Sequence, residues 1–278
     1  RSSPEELARL LREQPPQLLF LSARLERRSA ALLALFRNPA WRTVAVGGHL
    51  EGAMDFEDLL RLPGGERALP DLPEGEDRPC MQYYTSGSSG RPKGVLHSHR
   101  ALILHTLINA REGGYTSGTI YQFSSPLFHA AAAGAYNTLS VGGTLVLIDR
   151  VVPESFLATL ERERVNFAGI SPYLMRKLVD SGKMADYDLS TLARVSYAGA
   201  PVEPELLDRM MELLPGRAFV QYYGMTEMAP TICVLSPEDH LDSGAPGRRG
   251  HRYSAGKPAM FVELNIVSPE GRPCPPCV

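Results

Sequence analysis

Residues 85–94 read Thr-Ser-Gly-Ser-Ser-Gly-Arg-Pro-Lys-Gly, and this loop decides how the chain is interpreted. It joins two apolar runs, Met81–Tyr84 and Val95–His97, which are predicted strands. Small side chains leave backbone N–H groups uncovered, so the loop, its hydroxyls and its lysine can cradle phosphate oxygens. The predicted phosphate-binding residues are Thr85, Ser86, Gly87, Ser88, Ser89, Gly90 and Lys93.

A flexible connection is the usual interpretation of a Ser/Gly-rich loop, but this one is short and closes on Pro92-Lys93-Gly94. The phosphate loop of nucleoside triphosphatases requires Gly-Lys-Ser/Thr leading into a helix. Lys93 instead follows a proline and precedes a glycine, so the loop differs from that pattern. The residues favour a phosphate cradle held between two strands.

A second motif, Gln-Tyr-Tyr-Gly-Met-Thr-Glu at residues 221–227, ends the predicted strand Ala218–Tyr223. The ring of Tyr223 can stack on a base, and the Thr226 hydroxyl can bond a phosphate oxygen. The Glu227 carboxylate is a hard oxygen ligand that suits Mg²⁺. The alternative is a polar turn that only ends the strand.

Three further motifs support the same interpretation. They are Ser196-Tyr-Ala-Gly-Ala-Pro201, Pro126-Leu-Phe-His129 and Gly256-Lys-Pro258. Together with the two motifs above, they resemble the signature motifs of the adenylate-forming superfamily, in the order that the family has them. That superfamily includes acyl-CoA synthetases, luciferases and peptide-synthetase adenylation domains. The resemblance spans nearly the whole chain.

The resemblance implies a role for each motif residue. Residues 85–90 and Lys93 would hold the β- and γ-phosphates of ATP, and Thr226 would bond the α-phosphate. Glu227 would hold Mg²⁺, and His129 would lie near the reacting carboxylate and the thiol entry path. The implied catalytic residues are Thr226, Glu227, Lys93 and His129. The implied adenine and nucleotide contacts are Gly199, Ala200, Pro201, Tyr223, Gly224, Met225 and Thr226.

The implied reaction is ATP-dependent activation of a carboxylic acid to an acyl-adenylate and then to an acyl-CoA, with coenzyme A as co-substrate. A fatty acid is the expected acid, because the small residues of Phe128–Gly134, with Tyr197 and Ala198, suggest an apolar cavity without a buried carboxylate. An ammonium group would lack an acidic partner there. An amino-acid or aryl-acid adenylation domain and a non-catalytic nucleotide-binding remnant are the alternatives.

The resemblance also predicts the domain organisation. Residues 1–278 are expected to be an incomplete part of the large N-terminal AMP-binding domain. The motif whose aspartate clamps the ribose, the hinge and the C-terminal lid domain with its lysine are expected to lie outside this chain. The chain alone is therefore expected to be a poor ligase.

Composition excludes several other function classes. The formal net charge of -2 provides no polybasic surface for nucleic acid. The Cys274-Pro-Pro-Cys277 pair has the spacing of redox or metal-binding cysteines, but the sequence contains no second pair of this spacing. The four cysteines are therefore interpreted as incidental, which fits a reducing compartment. No signal peptide or membrane span is predicted, which favours a cytoplasmic location. The sequence does not reveal an oligomeric state.

Helical and strand patterns alternate along the chain, which predicts an α/β fold of largely parallel sheets covered by helices. A strand at Phe261–Val267 would begin a β-rich subdomain at the C-terminus. Ligands of such folds lie at the carboxyl ends of the strands, where the nucleotide motifs are. Predicted helices cover residues 4–13, 25–36, 100–111, 129–141, 153–164, 172–181 and 203–214. Predicted strands cover residues 43–46, 81–84, 95–97, 120–123, 144–148, 167–170, 195–197 and 218–223.

Three histidines, His97, His99 and His105, are close enough in sequence to suggest zinc. No cysteine or carboxylate nearby completes a ligand set, and Ser98 or His99 is expected to begin the next helix instead.

Overall fold

The computed structural model describes residues 3–36, 41–63, 75–85, 92–128, 132–148, 150–229, 231–241 and 251–275. The chain divides into two compact units, Arg1–Pro73 and Glu74–Val278. Within the described ranges, every helix is too short or too polar to cross a lipid bilayer. Cys80, Cys233 and Cys274 are free thiols, whereas Cys277 lies outside these ranges.

The first unit contains a three-stranded parallel sheet with short helices. Its first helix begins with a capping box, in which the Ser3 hydroxyl accepts from the Glu6 N–H and the Glu6 carboxylate accepts from the Ser3 N–H. The elements in chain order are α1 (Pro4–Glu13), β1 (Leu18–Ser22), α2 (Glu26–Ala34), β2 (Arg42–Val46), β3 (Met54–Asp55) and α3 (Phe56–Arg61).

The second unit contains a two-stranded hairpin and a seven-stranded sheet. The first half of this unit consists of β4 (Pro79–Thr85), β5 (Lys93–Ser98), α4 (His99–Gly113), β6 (Ile120–Phe123), α5 (Ala133–Ser140), β7 (Thr144–Leu147) and α6 (Pro153–Arg162). The second half consists of β8 (Phe167–Ile170), α7 (Pro172–Ser181), β9 (Arg194–Ala198), α8 (Pro204–Leu213), β10 (Ala218–Gly224), β11 (Thr231–Leu235), α9 (Pro237–His240) and β12 (Lys257–Pro258).

The large sheet has the strand order β12-β11-β10-β9-β8-β6-β7. Strands β7, β6, β8, β9 and β10 are parallel, while β11 and β12 add an antiparallel edge. The prediction of largely parallel sheets is confirmed. Their carboxyl ends meet at one edge, which is where ligands bind in such folds.

Helices cover both faces of this sheet. Phe219 and Val220 are neighbours in β10 and therefore point to opposite faces. Phe219 packs in the main core with Leu157 of α6, whereas Val220 packs with Ile108 of α4. Parallel sheets are buried on both faces in this way, so their strands carry continuous apolar runs.

Helix α6 is amphipathic, since Leu157 and Leu160 are buried and residues 161–163 face water. It begins at Pro153, where the helix predicted over residues 153–164 begins. Proline fits the first helical position because its missing N–H has no intrahelical partner there.

The predicted strand over residues 261–267 is wrong. This stretch is irregular apart from an isolated bridge between Val267 and Pro273. Phe261 has a φ of 65° and is 78% exposed, so its ring contributes little to a buried strand face. The antiparallel edge is formed earlier, by β11 and β12, and β11 was not predicted.

Candidate active site

Strands β4 and β5 form the hairpin that holds the predicted phosphate loop. Thr85 pairs with Lys93 in this antiparallel hairpin, so the loop lies between two strands as predicted. Both Thr85 and Lys93 belong to the described part of the chain, and Lys93 is exposed. Ser86, Gly87, Ser88, Ser89 and Gly90 lie outside it.

The adenine motifs follow neighbouring parallel strands. Tyr222 of β10 pairs with Ala198 of β9, so Tyr223 and the turn that begins at Gly199 lie at the same edge of the sheet. Gly199 has a φ of 93°, a backbone conformation that favours glycine as the chain leaves β9. The Tyr223 ring is 51% exposed and is thus available to a planar ligand.

Thr226 and Glu227 lie in a 3₁₀ turn, Thr226–Met228, directly after β10. Glu227 is exposed and Thr226 is half-buried. A register shift between Tyr223 and Gly224 ends the regular pairing with β11 before this turn. The turn therefore presents a carboxylate and a hydroxyl at the same edge as the adenine motifs.

The hairpin also contacts this turn, through β5. Residues of the hairpin, of α4, of α5 and of the turn line a common pocket, which we call the Thr226 pocket. Its lining residues are Tyr83, His97, Leu102, His105, Ala133, Tyr136, Thr226 and Ala229. The second unit thus brings the phosphate-loop hairpin and Thr226 to one place, although they are far apart in sequence.

The acyl-pocket motif begins directly beyond β6, whose neighbours in the sheet are β7 and β8. Pro126 and Phe128 are described, but His129 is not, so its predicted position beside the carboxylate stays a prediction. Ala133, from the predicted stretch of small residues, does line the Thr226 pocket. Helix α5 begins at Ala133.

Tyr197 was expected to line the acyl cavity, and this expectation is wrong. Its side chain is 2% exposed and packs in the main core. Its hydroxyl donates to Nε2 of His240 at 2.9 Å, and the Nδ1–H of His240 donates to the Ser236 carbonyl at 2.7 Å. Side chains alternate between the two faces of a sheet, and Tyr197 lies on the face of β9 that packs in the main core.

The Gly-Lys-Pro motif forms the edge strand β12, which pairs with β11. Gly256 has a φ of 89°, and a Cβ atom there would lie 2.2 Å from the Val234 carbonyl oxygen. Only glycine therefore allows this close approach of the two backbones. The Lys257 ammonium bonds both carboxylate oxygens of Asp239, at 2.9 and 3.0 Å.

The zinc hypothesis finds no support within the described ranges, which contain no group of three or more His, Cys, Asp or Glu side chains placed to hold a metal. Ser98 is the N-cap of α4 and accepts from the Ala101 N–H, so His99 begins the helix as expected. His99 is exposed, whereas His97 and His105 are buried.

A buried polar network beside the pocket was missed by the sequence analysis. His105 and Asn109 of α4 lie one helical turn apart, and both contact Thr231 of β11. Burial and the nearby His97 lower the pKa of His105 to about 4, so its ring is neutral at pH 7. The i, i+4 spacing of two polar residues in an apolar helix is the signal that could have indicated this network.

Comparison with known proteins agrees with these motifs. A feruloyl-CoA synthase of an Amycolatopsis species is 36% identical over 225 residues, which are 78% of this chain and 44% of that protein. A long-chain-fatty-acid–CoA ligase of Thermus thermophilus is 29% identical over 99% of this chain and 50% of its own length. The chain spans about half the length of the curated relatives it matches.

Solved structures and a family profile extend this similarity to the whole chain. An amide bond synthetase of Marinactinospora thermotolerans superimposes with a TM-score of 0.82 at 27% identity, covering 99% of this chain and 52% of that one. The profile described as AMP-binding enzyme matches residues 1–278. The chain belongs to the family of AMP-binding, adenylate-forming enzymes.

Proposed function

We propose that residues 1–278 belong to the large domain of an enzyme that joins a carboxylic acid to coenzyme A through an acyl-adenylate. The observation that carries this proposal is that one pocket is lined both by Thr226 and by residues of the hairpin in which Thr85 pairs with Lys93. The adenine motifs follow β9 and β10 at the same sheet edge, which also supports it.

The chemistry explains why these groups are needed together. A carboxylate is a poor electrophile, so one of its oxygens first attacks the α-phosphorus of ATP, and pyrophosphate leaves. The thiol of coenzyme A then attacks the acyl carbon and AMP leaves. Negative charge changes position among the phosphates in the first step, and fixed N–H, hydroxyl and ammonium donors stabilise it.

The roles that we propose for the residues are those that the motif resemblance implies. Lys93 and Thr85, at the ends of the loop, hold the β- and γ-phosphates together with residues 86–90. Thr226, which lines the Thr226 pocket, bonds the α-phosphate. The exposed ring of Tyr223 stacks on adenine, opposite the turn of Gly199, Ala200 and Pro201, while Gly224 and Met225 continue the nucleotide-binding turn.

Glu227 is the residue that would hold Mg²⁺. Its carboxylate is exposed beside Thr226, and carboxylate and phosphate oxygens are the donors that this ion prefers. One protein carboxylate suffices when the nucleotide supplies the other oxygens. When bound, Mg²⁺ neutralises phosphate charge.

The proposed acid is not an amino acid. Among the described residues, no carboxylate lines the Thr226 pocket, so a substrate ammonium group would be buried without a partner. A fatty acid is the acid that the sequence predicts. An aryl acid is the second candidate. The aromatic walls of Tyr83 and Tyr136, and the similarity to a feruloyl-CoA synthase, favour it.

Calorimetric titration of ATP-Mg²⁺ into the chain tests the nucleotide site. Lys93→Ala should weaken binding by about 1.5–3 kcal/mol, the usual contribution of a hydrogen bond to a charged group. Lys183→Ala is the matched control, because the Lys183 ammonium bonds Glu154 at 2.7 Å, at the opposite end of α7 from the strand carboxyl ends. Equal ATP affinity in the Lys93→Ala and Lys183→Ala variants would remove Lys93 from the site.

A further inference from the structure

A bulge in β11 turns Thr231 toward helix α4. Val234 of the same strand packs in one apolar cluster with α4 and β10, and Thr231 contacts α4 as well. Positions 231 and 234 differ by an odd number, so a regular strand would direct these side chains to opposite faces. The pairing with β10 shifts between them, since Tyr223 pairs with Cys233 but Gly224 pairs with Thr231. The extra residue in β11 therefore brings both side chains to the α4 face.

Three buried polar side chains join β11 to α4 at this point. The Thr231 hydroxyl donates to Oδ1 of Asn109 at 3.1 Å, and its oxygen lies 3.3 Å from Nε2 of His105. The Asn109 amide also donates to the backbone carbonyl oxygen of His105 at 3.0 Å, which fixes the direction of the amide. All three residues are buried. We call Thr231, Asn109 and His105 the Thr231 network.

The apolar contact beside this network has no comparable direction. Ile108 of α4 packs in one cluster with Val220 of β10 and Val234 of β11. Apolar burial is non-directional and tolerates a small slide of one element over another. A hydrogen bond weakens steeply when its angle departs from linearity, and a buried polar atom without a partner is costly. The Thr231 network therefore determines where the start of β11 lies against α4.

Thr231 lies at the base of the turn that carries the proposed nucleotide ligands. The Gly224–Thr231 pair closes the β10–β11 connection, which contains the 3₁₀ turn Thr226–Met228. Ala229 follows with a φ of 62°, a conformation that is uncommon for residues other than glycine. A residue stays in such a conformation only where its surroundings hold it there. The strained backbone beside Thr231 thus indicates that the turn is held in one position.

The other end of α4 is joined to the phosphate-loop hairpin. Ser98, the last residue of β5, caps α4 by accepting from the Ala101 N–H. Lys93 is the first residue of the same strand. His105 and Asn109 lie on the helix only about two to three turns beyond the cap. One helix therefore links the strand of Lys93 to the base of the turn of Thr226.

We propose that Thr231 is a positioning residue for the nucleotide, and that the Thr231 network holds the turn Thr226–Met228 at a fixed place against α4 and the hairpin. This inference rests on the proposed function, in which Thr226 and Glu227 bind the α-phosphate and Mg²⁺ while Lys93 binds the β- and γ-phosphates. A single ATP molecule spans both sets of ligands. Its affinity therefore depends on how accurately the two sets are placed relative to each other.

Substitutions of Thr231 separate its hydroxyl from its shape. Thr231→Val keeps the shape and removes the hydroxyl, so Asn109 and His105 face a methyl group. Thr231→Ser is the matched control, because it keeps the hydroxyl and loses the methyl group. The double variant Thr231→Val/Asn109→Leu replaces both partners of one bond by apolar groups, a change that is often close to neutral for stability. Thermal unfolding of the three variants confirms that they fold.

The experiment compares the binding of ATP-Mg²⁺ and of adenosine to the 278-residue chain by equilibrium titration. Adenosine has no phosphate, so it tests the adenine motifs without Lys93, Thr226 or Glu227. Thr231→Val and the double variant should bind ATP-Mg²⁺ about tenfold more weakly, a loss typical of residues that support direct ligands, with unchanged adenosine affinity. Thr231→Ser should keep both affinities. A variant that is only less stable would lose both ligands in the same proportion.

Amide hydrogen exchange tests the Thr231 network without any nucleotide. The N–H groups of Met228 and Ala229 donate to the carbonyl oxygens of Met225 and Thr226 at 3.0 and 3.3 Å. Both amides should lose protection in Thr231→Val and in the double variant, because opening of the turn then no longer has to break the network. They should keep it in Thr231→Ser. The Val195 amide, in β9, is the internal reference and should not change in any variant.

Unchanged exchange at Met228 and Ala229 in Thr231→Val overturns the inference, whether or not the chain binds ATP. A chain that binds ATP-Mg²⁺ equally well as Thr231→Val and as Thr231→Ser also overturns it. Failure of the proposed function is seen separately, as absence of ATP-Mg²⁺ binding by the native chain. Faster exchange in the turn of Thr231→Val together with that absence would contradict the adenylation proposal and support the role of Thr231 in holding the turn.

Discussion

At the scale of single residues, the buried His105 makes the stability of the fold depend on pH. Its folded pKa of about 4 lies below the ordinary value of 6.5, because burial and His97 disfavour the charged ring. The unfolded chain therefore binds more protons between these two values. The free energy of unfolding should fall as pH drops through this window, by up to about 3 kcal/mol at pH 4.

Urea unfolding at pH 7, 5.5 and 4 measures this effect. The native chain should lose about 1–3 kcal/mol more than His105→Gln between pH 7 and pH 4, because glutamine does not titrate. Burial also lowers the pKa of His240, but this group is present in both proteins and cancels from the difference. Parallel pH profiles for the two proteins would show that His105 is not held neutral by the fold.

At the scale of elements, Gly256 determines whether β12 can pair with β11. Gly256→Ala places a methyl group 2.2 Å from the Val234 carbonyl oxygen and also strains a backbone with a φ of 89°. Gly182→Ala is the matched control, since Gly182 has a φ of 64° with nothing within 4 Å of an added Cβ. The control should cost about 1–2 kcal/mol of unfolding free energy through strain alone.

Gly256→Ala should cost about 1–3 kcal/mol more than the control, because its methyl group meets backbone that cannot move without breaking β-pairing. Chemical denaturation of the two variants measures the difference. Amide hydrogen exchange at Val234 should rise only in Gly256→Ala, since Val234 pairs with Lys257. Equal losses in the two variants would mean that the edge strand yields to the added methyl group.

At the scale of the whole molecule, the core between α6, α7, α8 and the large sheet holds the sheet edge where the motifs meet. Leu157 is fully buried in this core, so Leu157→Ala should lower the free energy of unfolding by about 2–5 kcal/mol. Leu139→Ala removes the same atoms from a side chain that is 58% exposed and should change it by less than about 0.5 kcal/mol. Urea unfolding monitored by circular dichroism compares them, and similar midpoints would contradict this account of the core.

Local chemistry explains why so much of the second unit could be predicted. Pro172 and Ser98 begin α7 and α4 as expected, because a proline at the first turn and a side-chain cap act within a few residues. The hairpin around the phosphate loop and the alternation of parallel strands with helices follow from apolar runs separated by helical patterns. Periodicity alone did not show which run pairs at an edge, so β11 was missed and a strand at residues 261–267 was wrongly expected.

The sequence by itself determined the family, the alternating architecture and the set of nucleotide motifs, because these depend on residue type and on spacing along the chain. Only the tertiary structure decided that Tyr197 lies in the core, where its hydroxyl bonds His240. It also decided that His105 bonds Thr231, which is 126 positions away, and faces the pocket beside Thr226. Such contacts depend on strand order and on which face of each element is turned inward, and residues distant in sequence carry no local signal of either.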